Sequence, residues 1–154
     1  MPTTNKKGFT LIEIILTLTV LTVITIVAFP SDNGLTPFAL DAASRKVKTD
    51  IRYAQDLATT TGDTYGFRVT GPSTYEVYDA TTGAIPLSPY TNAPMQENLT
   101  ADFGPVTFQN LAYKVEFNSY GLPTLGGGTT LQILYGGGTK NVNISSTSGY
   151  VTLY

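Results

Sequence analysis

The 154-residue chain carries 9 Lys+Arg against 11 Asp+Glu, a formal charge of −2, which excludes the dense basic surface of a strong nucleic-acid binder. It contains no Cys, His or Trp, which excludes disulfides, thiolate and imidazole nucleophile–base pairs, and structural zinc sites built on Cys and His. Ten tyrosines and seven phenylalanines leave enough aromatic mass for the core of one compact domain plus an appendage.

From Phe9 to Phe29 run 21 residues with a single charge, Glu13. A helix of that length reaches roughly 30 Å, about one hydrocarbon core. Lys6 and Lys7 precede it and no cation follows closely, which orients the N-terminus to the cytoplasm and the remainder outward. A secretory signal would have a shorter apolar region ending on a small-x-small site, and Val27-Ala28-Phe29-Pro30 does not supply one. A plain signal anchor fits length and orientation. Neither reading accounts for Glu13, because a carboxylate inside an apolar helix is costly in lipid unless paired. Of Thr10, Thr17, Thr19, Thr22 and Thr25, most are expected to bond back to carbonyls one turn earlier, the alternative being a bridge between helices.

The octet Lys6-Lys7-Gly8-Phe9-Thr10-Leu11-Ile12-Glu13 resembles the class III signal of type IV pilins and type II secretion pseudopilins. The resemblance implies a leader over residues 1–8, cut by prepilin peptidase between Gly8 and Phe9, with Phe9 then N-methylated. It implies that residues 9–29 form a transmembrane helix that doubles as an assembly spine, with Glu13 as the retained acid. The new amine of Phe9 and the Glu13 carboxylate of a neighbouring subunit would neutralise each other among apolar helices, where a pair tolerates low dielectric better than either charge alone. The partners implied are other pilins or pseudopilins, prepilin peptidase, and inner-membrane lipid before assembly. The location implied is the bacterial inner membrane, single-pass, with the C-terminal domain extracytoplasmic.

Pro30 ends the apolar run, since it lacks an amide hydrogen and disfavours helix at Phe29; a kink or break is expected over residues 30–36. A second helix is expected over 37–61, with Thr36 as N-cap, Pro37 in the first turn and Gly62 as the stop. Leu40, Ala43, Val47, Ile51, Ala54 and Ala58 recur every three or four residues and predict one buried stripe. Asp41/Arg45, Lys46/Asp50 and Arg52/Asp56 predict i,i+4 ion pairs on a solvated face. Thereafter the pattern alternates. Strands are expected at 65–70, 74–79, 106–109, 113–118, 130–135, 140–144 and 150–153, with a hairpin at Gly71-Pro72-Ser73. Residues 80–104 read as a long loop with one short strand near 98–102. This order predicts an α+β fold: a long N-terminal pilin-type helix, broken near Pro30, whose second half packs on an antiparallel sheet in a globular domain over 37–154. The segments Ala42–Arg45, Ala54–Ala58, Val115–Pro123 and Val142–Ile144 with Gly149–Val151 resemble, in that order, the GspH/FimT-like pseudopilins.

No enzyme is expected and no cofactor is implied. Scattered carboxylates mark no acid–base couple, and the glycine runs 126–128 and 136–138 lack the Lys-Ser/Thr of a phosphate loop. Asp79-Ala80-Thr81-Thr82-Gly83 reads as a turn, because it lacks the alternating acids of a calcium loop. The function implied is that of a minor pseudopilin or minor pilin supporting secretion or pilus biogenesis. The alternative is a DNA-binding minor pilin of a competence pilus. Removal of Lys6 and Lys7 with the leader leaves still fewer cations for phosphates, which argues against nucleic acid as a partner.

Overall fold

A computed structural model describes the backbone over residues 10–28 and 36–154 and the side chains over 10–24 and 37–154. The chain divides into two compact units, residues 1–34 and 35–154. In the first, α1 is Leu11–Ala28. The second opens with α2, Thr36–Thr61, followed by β1 Tyr65–Val69, β2 Thr74–Asp79, β3 Gln96–Asn98, α3 Leu99–Phe103, β4 Thr107–Phe108, β5 Lys114–Phe117, β6 Pro123–Leu125, β7 Thr130–Tyr135, β8 Gly138–Ile144 and β9 Val151–Leu153.

The strands form two antiparallel sheets, in the orders β3-β2-β1-β5-β6 and β4-β7-β8-β9. Helix α2 packs on both, touching β1, β2 and β5 of the first and β7, β8 and β9 of the second. The sequence explains how one helix serves two sheets. Its stripe of Leu40, Ala43, Val47, Ile51, Ala54 and Ala58 is buried throughout, and three of the six are alanines that let strand backbones come close. The helix stops at Gly62, whose φ of 82° is a left-handed value that only glycine adopts at little cost.

Along β1, β2 and β5 the inward side chains Phe67, Val69, Tyr75, Val77, Val115 and Phe117 are buried. The Tyr75 ring links the two sheets. It lies 4.9 Å from the Phe67 ring on β1 and meets Phe108 of β4 edge-on at 5.9 Å, a geometry that aromatic quadrupoles favour. From the second sheet come Leu131, Ile133, Val142, Ile144 and Val151, all fully buried.

Three elements depart from the sequence expectations. The strand expected near 98–102 is a short helix preceded by a strand. Asn98 Oδ1 accepts from the Thr100 amide at 3.1 Å, an N-cap that starts α3, while Leu99 is buried. The edge strand β6 lies outside the strands expected from sequence; its Pro123 is tolerated at an edge, where a missing amide costs no ladder bond. Gly138 belongs to β8, paired with Tyr135, so the tight turn is Gly136-Gly137 alone.

Candidate functional site

Of the residues singled out in the N-terminal segment, Lys6, Lys7, Gly8, Phe9 and Pro30 lie outside the described residues. Glu13 occupies the first turn of α1. Its amide donates to the Thr10 carbonyl at 3.0 Å, as the Ile14 amide does at 3.2 Å, and lies 3.4 Å from Thr10 Oγ1. Thr10 therefore caps α1, with Glu13 three residues on, the spacing of a capping box. The carboxylate also sits at the positive end of the helix dipole. Glu13 thus has a local use that neither the anchor nor the signal-peptide reading had supplied. The threonines bond back into the helix: Thr17 to Ile14 at 2.9 Å, Thr19 to Ile15 at 2.5 Å and Thr22 to Leu18 at 2.7 Å. Between them the apolar side chains Leu11, Ile12, Leu16 and Leu18 are exposed. Among the described residues no helix is long and apolar enough to cross a membrane. The 18 residues of α1 reach ~27 Å, and the span read from sequence includes residues at both ends that are not described.

The globular unit holds a cleft of about 460 Å³ between α2 and the loop that leads to β3. On its floor, Lys46 bridges Asp50 at 3.1 Å and Glu97 at 3.2 Å. Asp50 is buried and also accepts from the hydroxyl of Tyr75 at 2.5 Å. The α2 face read from sequence as solvated is therefore half-buried at this point. Burial disfavours the charged Lys46, but the two carboxylates outweigh it and raise its pKa. Tyr53 donates to the Leu87 carbonyl at 3.2 Å and ties the loop to the helix. The expected pair Arg52/Asp56 does not form among the described residues; the Arg52 guanidinium lies 5.8 Å from the Tyr150 ring centre instead. Asp41/Arg45 does form, at 2.6 Å.

The outward face of the first sheet carries a second polar group. Arg68 Nε donates to Glu76 at 2.6 Å, and Gln96 donates to the other oxygen of that carboxylate at 2.8 Å. Lys114 pairs with Glu116 at 2.7 Å. Between these pairs lies Tyr78, buried although it faces outward, with the Arg68 guanidinium 4.3 Å from its ring centre. All four charges are matched, so this face is a closed network. Asp79 is likewise used up by its own turn, accepting from the Thr81 amide at 2.7 Å and the Thr82 hydroxyl at 2.7 Å. Among the described residues no three acidic side chains gather in a way that could hold a metal ion.

The sequence profile of the prokaryotic N-terminal methylation motif matches residues 3–29. No curated protein matches the chain. Two crystal structures of the type IV minor pilin FimU from Pseudomonas aeruginosa are similar in fold. Each is 16% identical and covers 75% of this chain; they cover 92% and 87% of their own chains, with TM-scores of 0.54 and 0.55. The chain thus carries the N-terminal methylation motif over residues 3–29 ahead of a domain whose fold is similar to that of a type IV minor pilin.

Proposed function

We propose that the chain is a minor subunit of a type IV pilus or a type II secretion pseudopilus, built into the filament through its N-terminal helix. The observation that carries this reading is the methylation motif over residues 3–29 on a chain that folds like a minor pilin. Residues 1–8 are the leader, removed by prepilin peptidase between Gly8 and Phe9, after which Phe9 is methylated. Lys6 and Lys7 hold the leader in the cytoplasm. Residues 9–29 anchor the subunit in the inner membrane before assembly, Pro30 breaks the helix within 30–36, and residues 37–154 stand outside the cytoplasm. Glu13 neutralises the Phe9 amine of a neighbouring subunit and sets the axial stagger. Its position in the first turn of α1, four residues beyond Phe9 at the proposed cut, supports that role.

Intact-mass and N-terminal sequencing after co-expression with prepilin peptidase test the reading. The mature protein should begin at Phe9 with one added methyl group. An unchanged mass would leave only a plain anchored domain. Co-purification with pilus or secretion components then separates the two filament types. The DNA-uptake alternative gains little support, since Arg45, Lys46, Arg68, Lys114 and Lys140 each face a carboxylate at short range and are not free to neutralise phosphates.

A further inference from the structure

We propose that the cleft between α2 and the loop leading to β3 is a docking site for an arginine side chain presented by a partner protein. Three features of the cleft point to this occupant.

The first is charge. Asp50, Asp56 and Glu97 line the cleft against Lys46 and Arg52, an excess of one negative charge. Lys46 is held between Asp50 and Glu97. Asp56 is exposed and forms no ion pair among the described residues. An incoming cation completes the balance.

The second is the aromatic wall. Tyr90 is 91% exposed, which leaves its ring face open to a partner, and Tyr53 lines the same cleft. A guanidinium suits this pairing of ring and carboxylate better than an ammonium. It is planar and weakly hydrated, so it stacks on a ring while its edge donates to an acid.

The third is preorganisation. The loop that carries Tyr90 is braced from within. Ser88 Oγ accepts from the Tyr90 and Thr91 amides at 3.3 and 3.4 Å, and the Ser88 amide donates to Ala93 at 2.7 Å. Asn92 closes the loop with a φ of 54°, a left-handed value held by its surroundings. With the loop backbone fixed, only the rotation of the Tyr90 side chain itself remains to be ordered when the ring is covered. A volume of about 460 Å³ admits one long side chain with water, and it lies within the range of ligand sites.

This inference stands apart from the filament reading, since any protein partner with an accessible arginine would serve. The test is an amide-shift titration of the ¹⁵N-labelled full chain in detergent micelles with acetyl-Gly-Arg-Gly-amide. Acetyl-Gly-citrulline-Gly-amide, nearly the same shape without the charge, is the control. Saturable shifts are expected at Tyr53, Asp56 and Tyr90 with the arginine peptide only. Tyr90→Ala should weaken binding about two- to fivefold, and Asp56→Asn should weaken it as well. Both residues are exposed, so an otherwise unchanged spectrum verifies the fold. Equal shifts with citrulline, shifts indifferent to both variants, or no shifts at all would overturn the proposal. So would shifts with tri-N-acetylchitotriose but not with arginine, which would make the cleft a glycan site.

Discussion

The hydroxyl of Tyr78 on β2 donates to Glu116 on β5 at 2.6 Å, reaching across β1 at Gly66, the position paired with both residues. The absence of a side chain there is what lets the ring lie down. A Cβ on Gly66 would fall 2.7 Å from the Val115 carbonyl oxygen, 2.8 Å from Tyr78 Oη and 2.9 Å from Glu116 Cγ. The ring covers the glycine backbone in return, as cross-strand aromatics do for glycines in sheets. Gly66→Ala should therefore destabilise the domain by about 1–3 kcal/mol through overpacking. Gly66→Ala combined with Tyr78→Ala should cost less than the sum of the two single changes, because the Tyr78 hydroxyl is gone and only the Val115 carbonyl and the Glu116 side chain still crowd the new methyl. Urea unfolding of the four proteins measures both effects; strict additivity would show that the Tyr78 hydroxyl takes no part in the clash.

Glu116 also predicts a pH dependence. Burial alone would push its carboxyl up, but hydrogen bonds from Lys114 and Tyr78 and the charge of Lys114 outweigh burial and hold its pKa below the ordinary 4.5. A folded-state value below the unfolded one means that the contribution is fully present above about pH 4.5 and fades as acid protonates the folded carboxylate. Glu116→Gln should flatten part of the loss of stability between about pH 5 and pH 3. Matching acid slopes for the two proteins would contradict this.

Asp50 accepts from a tyrosine that is 1% exposed. Asp50→Ala would strand the Tyr75 hydroxyl and leave Lys46 with Glu97 alone, at a cost of about 1–3 kcal/mol for a buried donor left unmade. Asp50→Asn keeps an acceptor for the hydroxyl and should cost less. The midpoints of urea unfolding at equal slope rank the three proteins, and indistinguishable midpoints would show that the hydroxyl finds water instead.

The place of Glu13 in the first turn of α1 and its proposed pairing with a neighbour's amine can be separated by chemistry. Gln at the third position of a helix supports a capping box nearly as Glu does but carries no charge. Glu13→Gln should keep the α1 amide protected from exchange and still lower incorporation into filaments, whereas Thr10→Ala should loosen the first turn by about 1 kcal/mol and leave incorporation largely intact. If incorporation follows the cap and not the charge, the pairing of Glu13 with a neighbour's amine is wrong.

What the sequence displays and what it hides divide along a physical line. The α2 stripe and the strands Thr74–Asp79 and Thr130–Tyr135 are legible because 3.6-residue and two-residue periods record which face is buried. Partners across the fold leave no such record. Tyr75 meets Asp50 over 25 positions and Tyr78 meets Glu116 over 38, and alternation states only which face of its own strand each tyrosine takes. That is why α2 read as a solvated face although Asp50 is buried. The turn α3 was hidden for a different reason: Asn98 and Leu99 suit a strand as well as a cap followed by a buried residue. The motif octet was legible in full, since its order of charge, glycine, apolar run and acid is contiguous.

The seating of α2 on strands of both sheets bears on how the globular unit carries mechanical load. The sheets share no ladder, yet the same helix is seated against three strands of each. Tension entering the globular unit at its first residues runs along α2 and is divided between the two sheets at once. It shears many side-chain contacts in parallel instead of unzipping one strand from an edge, a loading geometry that raises the force needed to open the domain.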